Sequence, residues 1–143
     1  MKIAFEIPGK ATPKARGRTV RPKNGKVRTY TPEPTINYEN LVRYTYWQKY
    51  VNVKFPDDAP LTMCIHVFHP IPKGTSAKKQ EIMKAGLIRP IVKPDITNIA
   101  KSIEDALNGL AYRDDSQIVE SHIRKYYSDI PRVYVEITQI NAS

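Results

Sequence analysis

Five carboxylates, Asp95, Glu104, Asp105, Asp114 and Asp115, fall within one stretch of the chain, KPDITNIAKSIEDALNGLAYRDDSQI, residues 93–118. The chain around them is basic, with a formal net charge of +9. Basic proteins attract polyanions and carboxylates repel them, so an acidic cluster in such a chain points to a metal ion between protein and phosphate. Magnesium takes oxygen ligands, keeps several waters, and is often held by one or two carboxylates plus a substrate phosphate. Asp95 and Asp115 can face one another only if the chain folds back, which is the pairing a hard-cation site uses. Asp114 is a further candidate beside Asp115. The plain alternatives are local: Asp95 precedes a helix and could cap its first N–H groups, and an acidic turn near a helix end needs no metal.

Lys101 is the cation placed to lie within the cluster. One turn after Thr97, it could offset carboxylate repulsion, contact a phosphate, or stabilise charge developing in a phosphoryl-transfer transition state. It could equally be a surface lysine paired with Asp105. Asp105 either holds Lys101 or binds a loop N–H, and Glu104 is either a plain surface residue or a supporting ligand. Zinc and iron are poor readings, because His66, His69 and His122 are scattered. Cys64 is the only cysteine, which excludes an intramolecular disulfide and a cysteine-type zinc finger. It reads as a buried thiol in a strand.

A second constellation lies upstream. The basic loop at 10–30 carries Lys14, Arg16, Arg18, Arg21, Lys23, Lys26 and Arg28, with no acidic residue over 11–30. Pro and Gly interrupt it and no apolar face runs through it, so a membrane-surface helix is a poor reading. A loop or hairpin whose Arg and Lys could reach DNA phosphates is better, the plain alternative being a solvated basic loop. Asn24–Gly25 supplies a turn, and Tyr30 could stack on a base or anchor the loop. No run of 18 apolar residues could cross a bilayer. Glu6 and Pro8 interrupt any signal-peptide pattern, so a cytoplasmic protein with no membrane partner is expected.

The elements that must position these groups follow from periodicity. KIAFEI alternates as a strand ended by Pro8–Gly9. TPEPTINYENLVRYTYWQKYV reads as a helix capped by Thr35 or Asn37, with Leu41, Tyr44 or Thr45, and Tyr50 at helical spacing. Its aromatic set, Tyr38, Tyr44, Tyr46, Trp47 and Tyr50, reads as a packing face. APLTMCIHVFHP is a strand, SAKKQEIMKAG a short helix, and RPIVKP a loop set by its two prolines. The central helix is expected over Thr97–Asn108, ended by Gly109. Ile99, Ile103, Ala106 and Leu107 form its buried stripe, completed by Leu110. SQIVESHIRKYYS and RVYVEITQI read as closing strands joined by SDIP. The order gives one α+β domain over 1–143, a small mixed or antiparallel sheet packed by helices.

KPDITNIAKSIEDALNGLAYRDDSQI resembles the signature of the RusA family of Holliday junction resolvases of bacteria and their prophages, and RTYTPEPTINYE resembles the family's segment after its basic loop. The resemblance implies a RusA-like resolvase fold and a homodimer that cuts four-way DNA junctions with magnesium, or manganese as a substitute. It matches the family's essential aspartates to Asp95 and Asp115 and its catalytic lysine to Lys101. The departure is Thr97: the family pattern reads K-P-D-x-D-N, and here it is KPDITN. A hydroxyl is a weaker magnesium ligand than a carboxylate. The resemblance therefore leaves two expectations, a site working through Asp95, Asp114 and Asp115 with help from Glu104, or reduced activity in a protein that binds branched DNA.

Overall fold

A computed structural model of the chain describes residues 1–15, 18–21, 23, 25–30 and 33–141. In chain order its elements are β1 (Lys2–Pro8), β2 (Arg18–Val20), β3 (Arg28–Tyr30), α1 (Glu33–Lys49), β4 (Leu61–Pro70), α2 (Ala77–Lys84), α3 (Ile96–Ala106), a 3-10 turn (Asp115–Gln117), β5 (Ile118–Ser128) and β6 (Arg132–Gln139). The sheet order is β1-β6-β4-β5. β6 pairs antiparallel with β1 and β4, and β5 runs parallel to β4. The fold is α+β with a mixed sheet, as expected.

Register explains the core. Ile137 lies between Ile3 and Met63, Val135 between Phe5 and Ile65, and Val133 between Ile7 and Val67. All nine are buried, because side chains two apart on a strand share a face. Onto this face α3 lays Ile99, Ile103 and Ala106, with Leu107 just beyond, as its spacing predicts. Each large apolar side chain among them contributes about 2 kcal/mol on full burial. α3 starts and ends slightly earlier than expected, at Ile96 and Ala106, and Gly109 follows with a φ of 77°. Leu110 packs against the core from a partly buried position.

Several expectations need correction. α1 begins at Glu33, so Thr35 and Asn37 are not its caps. Its buried face is Thr35, Tyr38, Val42 and Tyr46, whereas Tyr44 and Trp47 are exposed. Cys64 is half-buried, because it points to the sheet face away from the core. That second face carries Phe68 stacked on Tyr126, with the Arg132 guanidinium 3.9 Å over Phe68 and that of Arg89 4.0 Å over Tyr126.

Residues 11–15 form a strap over the helices. The Ser102 hydroxyl of α3 donates to Thr12 O at 2.9 Å, and Lys14 N donates to Asn98 O at 3.0 Å. Ala15 N then donates to the Thr35 hydroxyl of α1 at 3.2 Å. Thr35 and Ser102 are the buried polar residues among those described, and the strap supplies partners to both. Beyond it, β2 and β3 pair antiparallel from Arg18↔Tyr30 to Val20↔Arg28, giving the hairpin expected for the basic segment. Gly25 has a φ of 80° at its tip, while Arg16 and Asn24 lie outside the described residues.

Candidate active site

α3 and the 3-10 turn form a lip of alternating charges. Lys101 and Asp105 are one helical turn apart, which brings Lys101 Nζ to 2.9 Å from Asp105 Oδ1. The same ammonium is 3.5 Å from Asp115 Oδ2. On the other side of Asp105, Lys14 Nζ lies 3.4 Å from Oδ2 and also pairs with Glu39 of α1. The order Glu39–Lys14–Asp105–Lys101–Asp115 thus joins α1, the strap, α3 and the turn. The hydrogen bond to Asp105, then its charge and that of Asp115, hold the Lys101 pKa above its ordinary value against burial. Burial opposes the charge on Lys14 too, but Glu39 and Asp105 outweigh it and raise that pKa.

The turn that presents Asp115 is fixed locally. The Asp114 carboxylate accepts from Ser116 N at 3.1 Å, and Gln117 Oε1 accepts from Arg113 N and Asp114 N. Gln117 Nε2 donates to Pro56 O and Ala59 O, tying the turn to the segment before β4. Buried Tyr112 donates its hydroxyl to Glu104 O at 2.7 Å, joining the turn to the end of α3. Asp114 is therefore a cap, and its hydrogen bonds to Ser116 hold its carboxyl below the usual range. The expectation that it is a metal ligand meets a side chain already committed to the turn.

Glu104 is half-buried beside Asp115; burial and then the charge of Asp115 push its carboxyl pKa up. Asp95 occupies the N-cap position of α3 with extended backbone, yet its side chain makes no capping bond. The capping role expected for that carboxylate is absent, and it stays exposed next to Pro13, Lys93, Pro94 and Asn98. Thr97 is exposed one turn before Lys101. Among the described residues, no three His, Cys, Asp or Glu side chains converge closely enough to hold a metal ion. Asp95, Asp114 and Asp115 are thus not gathered into one cluster. The carboxylates that do influence one another are Glu104, Asp115 and, more weakly, Asp105. Hard oxygen donors of this kind fit a magnesium-class ion whose remaining ligands are water and phosphate.

Of the basic residues expected to meet DNA, Lys14 is turned toward Glu39 and Asp105 and pairs with both. Arg21, Lys23 and Lys26 are exposed on the hairpin, and the backbones of Arg18 and Arg28 pair within it. Glu39 is a member of the lip that sequence reasoning missed. Its one signal was an acid on a helix following a basic segment.

The site is thus a lysine held between two aspartates on the surface of a basic α+β protein. The chain belongs to the endodeoxyribonuclease RusA family, whose model matches residues 8–138. It is 36% identical over 143 residues to "Uncharacterized protein YqaN" of Bacillus subtilis (strain 168), covering 98% of each chain.

Proposed function

We propose that this protein is a divalent-metal-dependent endodeoxyribonuclease that cuts four-way DNA junctions, as a homodimer. The observation that carries the reading is Lys101, held between Asp105 and Asp115 on the helix that begins at Asp95, in a chain of this nuclease family. Asp95 and Asp115 would hold the ion, magnesium or manganese, with Glu104 as the neighbouring carboxylate. When bound, such an ion supplies charge neutralisation for the phosphate and acidifies water for attack. The chain's own residues do the rest. Lys101 contacts the phosphate and stabilises the charge that grows on its oxygens in the transition state. Asp105 holds that ammonium in place, and Lys14 balances the charge of Asp105. The exposed cations of the β2–β3 hairpin bind flanking phosphates and place the duplex arms.

The test is incubation of the purified protein with an end-labelled synthetic four-way junction in magnesium, manganese or EDTA. Paired nicks that require metal are expected, and binding without cleavage under both metals would overturn the reading. One observation favours a second reading, a branched-DNA-binding protein that does not cut: Thr97 stands where the resemblance calls for a third carboxylate, and no three-carboxylate cluster forms among the described residues. That protein would bind junctions equally well in EDTA and after Asp115→Asn, and would never nick them.

A further inference from the structure

A hollow of about 260 Å³ opens between the end of β4, the start of the strap and the loop before α3. Its walls include Lys10, Phe68, His69, Val92, Lys93 and Tyr127. A second hollow shares Lys93 and Pro94 with it and continues over Pro13 and Asn98 to Asp95. Lys93 and Pro94 thus line both hollows, and the second reaches Asp95, a carboxylate of the candidate active site. Three observations describe what would fit the first hollow. The lining is mainly apolar with aromatic rings, and none of its residues is acidic. Two lysines, Lys10 and Lys93, stand in its wall, and Lys125 braces the loop by donating to Val92 O and Pro94 O. His69 Nε2 is buried with no hydrogen-bond partner among the described residues.

A flat heterocycle with an attached phosphate uses all of these features, whereas a bare anion would leave the apolar walls unused. Small-ligand sites have this character, a mostly apolar lining with a few placed polar groups. Burial, followed by the charges of Lys125 and Lys10, lowers the His69 pKa, so the ring is neutral and offers one donor and one acceptor. The last torsion of histidine is soft, so the ring can turn its unpartnered nitrogen to an occupant.

We propose that this hollow receives one unstacked nucleobase of the DNA strand being cut, with Lys10 and Lys93 on its phosphate. The inference rests on the junction-nuclease reading above, which places a phosphate near Asp95. A base at a branch point has given up part of its stacking, so drawing it out costs less than from a continuous duplex. The pocket would make cutting sensitive to the base beside the scissile bond.

The experiment is a coupling measurement in EDTA. Junctions carry a single abasic site at each nucleotide flanking the branch point in turn, and their dissociation constants are measured with wild type, His69→Ala and Lys10→Ala. Wild type is expected to bind about tenfold more weakly at one position, the scale of one stacked base, and both variants to show little further weakening there. Effects that simply multiply at every position, with no coupling to either variant, would overturn the pocket. Lys10 is exposed just beyond β1, so its variant reports even if His69→Ala folds poorly. Failure of wild type to bind the intact junction would sink the nuclease reading instead. Titration with the four deoxynucleoside monophosphates, followed by amide NMR, then decides the pocket alone. Saturable shifts at Ala11, His69 and Tyr127 would support it, and none would overturn it.

Discussion

Asp105→Asn removes one carboxylate from two ion pairs, at 2.9 Å to Lys101 and 3.4 Å to Lys14. Partly exposed pairs contribute about 0.2–1 kcal/mol each, so the variant should be destabilised by about 1 kcal/mol. For a chain of this size that is a fall in Tm of roughly 3 °C. The larger effect is on Lys101. Deprived of Asp105, its ammonium keeps a single carboxylate partner, Asp115, already 3.5 Å away. If that pair tightens by about 1 kcal/mol, a divalent ion competing for Asp115 binds about fivefold more weakly. Manganese titration of the free protein by electron paramagnetic resonance reads this directly, without cleavage. The magnesium concentration for half-maximal cutting should rise in parallel, and the rate at saturating metal should stay below wild type because Lys101 is displaced from the phosphate. Asp105→Glu keeps the charge and should restore most of both. If Asp105→Asn bound manganese as tightly as wild type and cut as fast, the reasoning that Asp105 holds Lys101 off Asp115 would be refuted.

Asp95→Asn and Asp115→Asn should each abolish most cutting while leaving junction affinity in gel shifts equal or higher, since each removes a negative charge facing phosphate. Weaker binding by both would show a structural role instead. Glu104→Gln tests the electrostatics through pH. The folded state holds the Glu104 proton more tightly than the unfolded chain, so the group favours folding below its ordinary pKa, and that contribution fades as pH rises through the raised value. The variant should therefore melt above wild type at neutral pH, with the difference vanishing near pH 4, below the ordinary carboxylate pKa. An equal difference at both pH values would count against this. Replacing Arg21 and Lys23 by Gln should flatten the dependence of log affinity on log salt by about 0.9 for each phosphate that the protein no longer neutralises. An unchanged slope would move the DNA footprint off the hairpin.

Much of the fold is legible from pattern because the decisive packing is periodic. Ile99, Ile103, Ala106 and Leu107 announce the face of α3, and alternation in LTMCIHVFHP announces the inward Met63, Ile65 and Val67. α1 is harder. Its aromatics surround the helix, so spacing does not say that Tyr38 and Tyr46 are buried while Tyr44 and Trp47 meet water. The site divides similarly. Lys101 and Asp105 are helical neighbours, so their pairing is visible as an alternative. The place of Lys14 is not, because its partners, Glu39 and Asp105, come from two other elements. Its position in an all-basic run argues for solvent and phosphate. The uncommitted side chain of Asp95 is equally hidden, since an aspartate before a helix ordinarily caps it.

The pairing of β1 with β6 has a consequence for how the chain is made. β6 lies between β1 and β4, so the first strand of the sheet has no partner until the last has been synthesised. Until then Ile3, Phe5 and Ile7 lack the neighbours Ile137, Val135 and Val133 that cover them in the sheet. Pairings this distant in sequence are slow to form, because a long loop must close before they contribute. Such a chain has a lengthy interval in which unpaired apolar strands invite chaperones or aggregation. Lys14 can join Glu39 and Asp105 only once α3 has been made, so the charged lip matures well after the strap and α1 have left the ribosome.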